Sequence, residues 1–139
     1  MAADHRNVYV ARSGMLSHPG KGTGSLTALD MKTGLTRWST PAPQPACTWT
    51  DGICSHAQSQ AVTVMPGSTF AGSMDGHLRA YSTIDGKILW DYDTAKVFQT
   101  QNGVHASGGP LDHGGPTIVN GSVYINSGNS LLAFSVDGK

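Results

Sequence analysis

The sequence predicts an all-β chain, a partial β-propeller of about three blades, one of them complete with four strands and two incomplete. Three observations carry that prediction. A short pattern recurs as Ala28-Leu-Asp30-Met-Lys-Thr33-Gly34-Leu-Thr-Arg-Trp38, as Ala80-Tyr-Ser82-Thr-Ile-Asp85-Gly86-Lys-Ile-Leu-Trp90 and, cut short, as Ala133-Phe-Ser135-Val-Asp137-Gly138-Lys139. Its first two copies are in register at a spacing of 52 residues, which pairs Leu26 with Leu78, Ala28 with Ala80, Gly34 with Gly86 and Trp38 with Trp90. Fixed-period similarity means one supersecondary unit has been copied and stacks on its neighbours to bury a core. Upstream of each copy a second pattern, Asn7-Val-Tyr9-Val, Ser68-Thr-Phe70-Ala and Ser122-Val-Tyr124-Ile, alternates apolar and polar residues at the strand period. A unit of about 50 residues built from short strands and Gly turns is a propeller blade of four strands.

The elements follow in order. Blade i, 7–39, reads as strands at 7–12, 25–30 and 35–39 and lacks its innermost strand. Blade ii, 59–92, carries strands at 59–65, 68–73, 77–82 and 87–92. Blade iii, 115–139, carries 115–119, 122–126 and 130–135 and then ends. No segment has helical periodicity. Propellers close with roughly 4–8 blades, so the expectation is a fragment of a larger ring, with the remaining blades as its partners.

The connections sort by face. Pro66-Gly67, Asn120-Gly121, Lys32-Thr33-Gly34 and Ile84-Asp85-Gly86 are tight turn chemistry and fall on one face. On the other face lie long loops at about 13–24, 40–58 and 93–114. They hold or border His18, His56, His77, His105 and His113 and both cysteines. Long loops on a rigid scaffold are where binding and catalysis usually sit. The expectation is one working face and one structural face.

Bulk composition removes several functions. Nine basic residues offset nine acidic ones and only 13% of residues are charged, so no electrostatic footprint for nucleic acid or an anionic membrane exists. No apolar run approaches the 18 residues of a membrane span. The start, Met1-Ala-Ala-Asp4-His5-Arg6, has no apolar signal core, which puts any export signal of the parent upstream.

In the recurring pattern the small Ala leaves room, the Gly turn reverses the chain, and Trp38 and Trp90 lie flat against the adjoining blade as structural docking residues. The pattern A-x-D-x-x-T-G-x-x-x-W, matched at every fixed position by Ala28 to Trp38, resembles the tryptophan-docking motif of pyrroloquinoline-quinone (PQQ) enzymes. The second copy departs from it at Ser82 and Asp85. The stretches Cys54-Ser-His-Ala57-Gln58-Ser59-Gln60-Ala61, Phe70 to Tyr81, Asn102 to Gly109 and Leu132 to Gly138 resemble the polyvinyl-alcohol dehydrogenase branch of that family. The resemblance implies a periplasmic or secreted quinoprotein. Such a protein oxidises a small or polymeric alcohol with PQQ and a divalent ion, usually Ca2+, at the loop face, and passes electrons to a cytochrome c. No haem attaches here, because C-x-x-C-H fails at Asp51.

Alcohol oxidation by a quinone needs a base, a hard oxygen-ligated cation and donors for the cofactor's carboxylates. Asp112 ranks first as catalytic residue and metal ligand, with His113 beside it, because Gly108-Gly109-Pro-Leu-Asp112-His113-Gly-Gly115 lets backbone approach a ligand closely. The alternative is a Gly-rich crossover whose Asp caps a turn. His77, which starts a strand, is a second-rank ligand or base, and Asp75-Gly76 before it is hairpin chemistry. Arg79 reads as solvent-facing or as an inter-blade ion-pair partner. His56, Gln58 and Ser59 enter the innermost strand of blade ii as channel-lining solvent contacts or cofactor contacts. Gly108 and Gly109 are the remaining cofactor-binding candidates. In an exported loop Cys47 and Cys54 pair as a staple; the family alternative is a disulfide against the quinone. A cofactor-free propeller acting as a protein-binding scaffold or sensor is the competing function.

Overall fold

The computed structural model describes residues 1–14, 24–47 and 54–135; His18, Asp51 and the Asp137–Lys139 end of the third motif copy lie outside the described residues. In chain order the strands are β1 (Ala2–Ala3), β2 (Asn7–Arg12), β3 (Ser25–Asp30), β4 (Thr36–Pro41), β5 (Thr63–Met65), β6 (Ser68–Gly72), β7 (His77–Ser82), β8 (Ile88–Asp93), β9 (Val97–Gln99), β10 (His105–Ser107), β11 (Thr117–Val119), β12 (Ser122–Ser127) and β13 (Ser130–Ser135). No helix occurs among the described residues, and none is long and apolar enough to cross a membrane. All pairings are antiparallel, in sheets ordered β1-β2-β3-β4, β5-β6-β7-β8 and β11-β12-β13, with a separate β9-β10 hairpin.

Three details differ from the sequence reading. Blade i has an innermost strand after all: Ala2 and Ala3 pair with Tyr9 and Val8, too short a run to show a period. The innermost strand of blade ii is Thr63–Met65 rather than 59–65, and ahead of it the chain is tied instead to the β6–β7 turn, with the Ala57 carbonyl accepting from Met74 N–H at 2.9 Å. The crossover at 93–114 contains the β9-β10 hairpin, registered His105 to Gln99 and Ser107 to Val97.

Alternation along β7 divides the core. Tyr81 packs with Tyr9, Leu26, Ala28 and Trp38 of blade i, together with Val62 and Ala71. Leu78 and Ala80 pack with Phe70, Leu111 and Ile125, toward blade iii. Ala28 stands opposite Trp38 and Ala80 opposite Trp90, and in both blades the ladder slips by one residue immediately after that Ala. The repeat is thus reproduced down to its bulge.

The docking contact is explicit between blades i and ii. Trp38 donates its indole N–H to the Thr83 carbonyl at 3.2 Å, and Thr40 donates its hydroxyl to the Gly86 carbonyl at 2.7 Å. Gly86 sits at φ 72°, and a β-carbon there would come within 2.5 Å of the Trp38 ring, so both the turn and the ring demand glycine. Trp90 meets Phe134 of blade iii edge-on at 5.1 Å. The turns that receive these rings are self-capped. Asp30 accepts from the Lys32 and Thr33 N–H groups at 2.9 and 2.8 Å, and Ser82 does the same for Ile84 and Asp85 at 3.2 and 3.4 Å. The Asp-to-Ser drift between copies therefore keeps the acceptor.

Candidate functional site

The loops of the second face converge on the Ser73–Gly76 turn between β6 and β7. Ser73 O accepts from Leu111 N–H at 3.1 Å, and Gly76 O accepts from the Thr94 N–H and hydroxyl at 2.9 and 2.7 Å. Met74, as described, is tied to Ala57. The Thr94 and Ser127 hydroxyls bond at 2.7 Å, and Ser127 also accepts from Gly109 N–H at 3.0 Å. Segments about residues 55–60, 73–77, 94–96 and 108–113 thus share one neighbourhood. Gly108 is needed for this closure, since a β-carbon there would overlap the Thr94 carbonyl at 1.6 Å. Gly109 has open space where its side chain would stand.

At the inner edge, the Gly24 α-carbon lies so close to the His56 carbonyl that a β-carbon would meet it at 1.8 Å. Gln58 is buried and donates its amide to the Tyr81 hydroxyl at 2.7 Å. Burial raises the Tyr81 phenol to about 12, against a lowering by Arg79. Three polar atoms here are buried without a partner: Nδ1 of His56 and the side-chain oxygens of Gln58 and Gln60. Ser59 between them is exposed.

The most built arrangement was not legible as such. Arg79 is 1% exposed, neither solvent-facing nor bridging blades: it pairs within blade ii, through Nη2 to Asp75 Oδ2 at 2.9 Å and through Nε to Asp91 Oδ2 at 3.0 Å. Asp75, also 1% exposed, is held by the Ser73 hydroxyl, which accepts from Arg79 Nη1 at 2.7 Å. Burial pulls the guanidinium pKa down, but the Asp75 hydrogen bonds and the charges of Asp75 and Asp91 outweigh it and leave the value raised. His77 Nδ1 lies 2.6 Å from the other oxygen of Asp91. The only sequence signal was that Asp75 stands four residues before Arg79 across a hairpin turn. A fully desolvated guanidinium needs such partners.

Asp112 and His113 are exposed and contact one another at 2.5 Å. Their placement beside Leu111 brings them to the same neighbourhood as the Ser73–Gly76 turn. Cys47 and Cys54 are joined, with α-carbons 6.0 Å apart. Among the described residues no group of three or more His, Cys, Asp or Glu is arranged to hold a metal, so Asp112 alone offers a single carboxylate. The unpartnered atoms of His56, Gln58 and Gln60 suit hydrogen bonding to a polar ligand. A groove of about 650 Å³, lined by Phe70, Trp90, Val123 and Phe134 among others, lies instead beside the tight turns of blades ii and iii. It is apolar and apart from these polar groups.

The comparisons with known proteins agree with this architecture. A PQQ-type family model, described as outer membrane protein assembly factor BamB, matches residues 1–139. A polyvinylalcohol dehydrogenase of a Pseudomonas species is 46% identical over 157 aligned residues, covering 100% of this chain and 24% of its own length. A second, from Sphingopyxis sp. strain 113P3, is 43% identical over 99% of this chain and 24% of its own. The chain thus spans about a quarter of the curated relatives it matches. Among solved structures, quinohemoprotein alcohol dehydrogenase ADHIIG from Pseudomonas putida HK5 superposes with a TM-score of 0.53 at 24% identity, over 83% of this chain and 17% of its own, a likeness of fold. The 52-residue repeat, the docked Trp38 and the match along its whole length together make this chain a member of the PQQ-like propeller-repeat family.

Proposed function

We propose that this chain is one sector of a PQQ-dependent alcohol dehydrogenase acting on polyvinyl alcohol or a related alcohol. The observation that carries the reading is the identity of 46% and 43%, sustained over essentially the whole chain, with two polyvinylalcohol dehydrogenases. PQQ would supply the two-electron acceptor. In this reading His56, Gln58, Ser59, His77, Gly108 and Gly109 are the sector's contacts to the cofactor or its surroundings. The buried, unpartnered atoms of His56 and Gln58 support a hydrogen-bonding role, and the open α-carbon side of Gly109 supports close approach. Asp112 and His113 belong to the catalytic group, and Asp112 gives one ligand to Ca2+, the others coming from further blades, since hard cations take six or more oxygens. The parent is periplasmic or secreted and hands electrons to a cytochrome c.

One observation favours a second reading, a cofactor-free scaffold: the matching family model is named for an assembly factor. Titration of the full-length protein with PQQ and Ca2+ by calorimetry, alongside dye-linked oxidation of polyvinyl alcohol, separates the two. Stoichiometric binding with turnover is the expected result. A folded protein that binds no PQQ and oxidises no alcohol overturns the dehydrogenase reading in favour of the scaffold.

A further inference from the structure

We propose that blade i carries a binding site for a doubly charged tetrahedral oxyanion of the phosphate type, formed by Arg6, Lys32 and Arg37 on the tight-turn face; the site is separate from the loop face and independent of the dehydrogenase reading. A cleft of about 350 Å³ opens there between the β1–β2 and β3–β4 turns, lined by His5, Arg6, Asp30, Lys32 and Arg37. Backbone hydrogen bonds lock the two turns to one another and to themselves. Met31 N–H donates to the Arg6 carbonyl at 2.8 Å, and Gly34 N–H donates to the Asp30 carbonyl at 2.8 Å. The cations therefore stand on a fixed frame rather than on a long loop.

The carboxylates of this region are already committed. Asp30 Oδ1 accepts from the Lys32 and Thr33 N–H groups and the Thr33 hydroxyl, and Oδ2 accepts from Nε and Nη2 of Arg37 at 3.1 and 2.5 Å. Asp4, outside the lining, accepts from the Arg6 and Asn7 N–H groups and from the Tyr9 hydroxyl. Asp30 and Arg37 cancel, which leaves the Arg6 guanidinium and the Lys32 ammonium without a side-chain partner among the described residues. Two like charges converging on one cleft repel until an anion enters. A phosphate group answers both: its charge matches theirs, and its oxygens suit the planar fork of Arg6 and the point charge of Lys32.

The repeat shows that folding does not call for these charges. Asn7 aligns with Ser68 and Asp30 with Ser82, so the same places in blade ii are held by Pro66, Gly67, Ser82, Ile84 and Leu89, none of them charged. The local backbone is nonetheless the same, with Thr83 N–H donating to the Gly67 carbonyl at 3.2 Å as Met31 does to Arg6. Blade ii also shows that a preceding blade leaves the place open. Ile84 and Leu89 are 87% and 60% exposed with blade i docked beside them. A cleft that one copy fills with cations and the other leaves neutral, at a position that docking does not cover, points to a ligand.

The test titrates the full-length protein with inorganic phosphate by calorimetry, holding ionic strength constant with sodium chloride. Saturable binding is expected, weakened about tenfold by Arg6→Gln and about tenfold by Lys32→Gln, the loss of one charge-assisted hydrogen bond each, with unchanged thermal midpoints in the absence of phosphate. Lys87→Gln, which removes an exposed turn cation already paired with Asp85 at 2.9 Å, is expected to leave the affinity unchanged. Sedimentation with phosphatidylglycerol vesicles separates the sources of the group: phosphate binding without co-sedimentation assigns a free phosphate, and co-sedimentation lost in Arg6→Gln assigns a lipid headgroup. No saturation by ~10 mM phosphate, where the ligand would be held no better than by isolated exposed charges, overturns the proposal. Equal weakening by Lys87→Gln, or none by Arg6→Gln and Lys32→Gln together, overturns it as well, and none of these outcomes bears on alcohol oxidation.

Discussion

Strand β7 is packed by opposite means on its two sides. On one face it offers Leu78 and Ala80 to Phe70, Leu111 and Ile125, an apolar cluster that reaches blade iii. On its other face the same strand offers His77, Arg79 and Tyr81, of which Arg79 and Tyr81 are fully buried, Arg79 paired with Asp75 and Asp91 and Tyr81 hydrogen-bonded to Gln58. An apolar junction tolerates small shifts, because dispersion and burial are non-directional. The Arg79 network does not, because a misplaced guanidinium leaves charges buried and unpaired. The side that holds the loop-face residues in place is therefore the exacting one.

The comparison breaks most directly by substitution. Arg79→Ala leaves Asp75 buried without its cation and is expected to cost about 4 kcal/mol, within the range for one-sided removal of a buried pair; urea unfolding followed by Trp fluorescence measures it. Leu78→Ala on the other side is expected to cost about 3 kcal/mol, the middle of the range for Leu truncation in a core. If Leu78→Ala proves the costlier of the two, the polar face of β7 is not the exacting one. Gly86→Ala strikes the docking turn, where a positive φ and the Trp38 ring both oppose a β-carbon. About 2 kcal/mol is expected from a residue held in so sparsely populated a region, with a change in Trp38 emission in the folded state. A loss equal to an ordinary surface substitution would mean that the ring simply moves aside.

The smallest effect sharpens the contrast between copies of the turn. The Thr33 N–H, then Arg37 and the Thr33 hydroxyl, hold the Asp30 carboxyl well below the usual range. Its folded pKa is lower than its unfolded value of about 3.9, so its contribution is complete above that pH and is lost as pH falls through the folded value. Asp30→Ser imports the acceptor that blade ii already uses at Ser82. Its thermal midpoint is expected to lie slightly below wild type at neutral pH and to converge with it in acid. A constant gap across that window would mean that the charge of Asp30 plays no part.

Much of this architecture is legible in the chain because the repeat is. Matching Leu26 with Leu78 and Ala28 with Ala80 fixes the strands at 7–12, 25–30, 77–82 and 130–135 as they occur in the fold. What escapes reading has no local signature. Ala2–Ala3 is too short to show alternation, and the β9-β10 hairpin joins three-residue strands across a stretch without a strong apolar period. The site divides in the same way. Loop length and the His and Gly content point to segments that the fold brings together around the Ser73–Gly76 turn, whereas the burial of Arg79 does not show. Its partners come from a turn before it and a strand after it, and a lone charge in an alternating segment reads as surface. The glycines around Asp112 and His113 report backbone freedom beside a carboxylate and an imidazole, and glycine content carries no signal of burial.

The Trp38 contact also sets an order of assembly. Its acceptor, the Thr83 carbonyl, lies 45 residues further along the chain, so during synthesis the indole N–H is without this partner for roughly 2–9 s at 5–20 residues per second. Blade i thus completes its docking bond only once the turn of blade ii has been made.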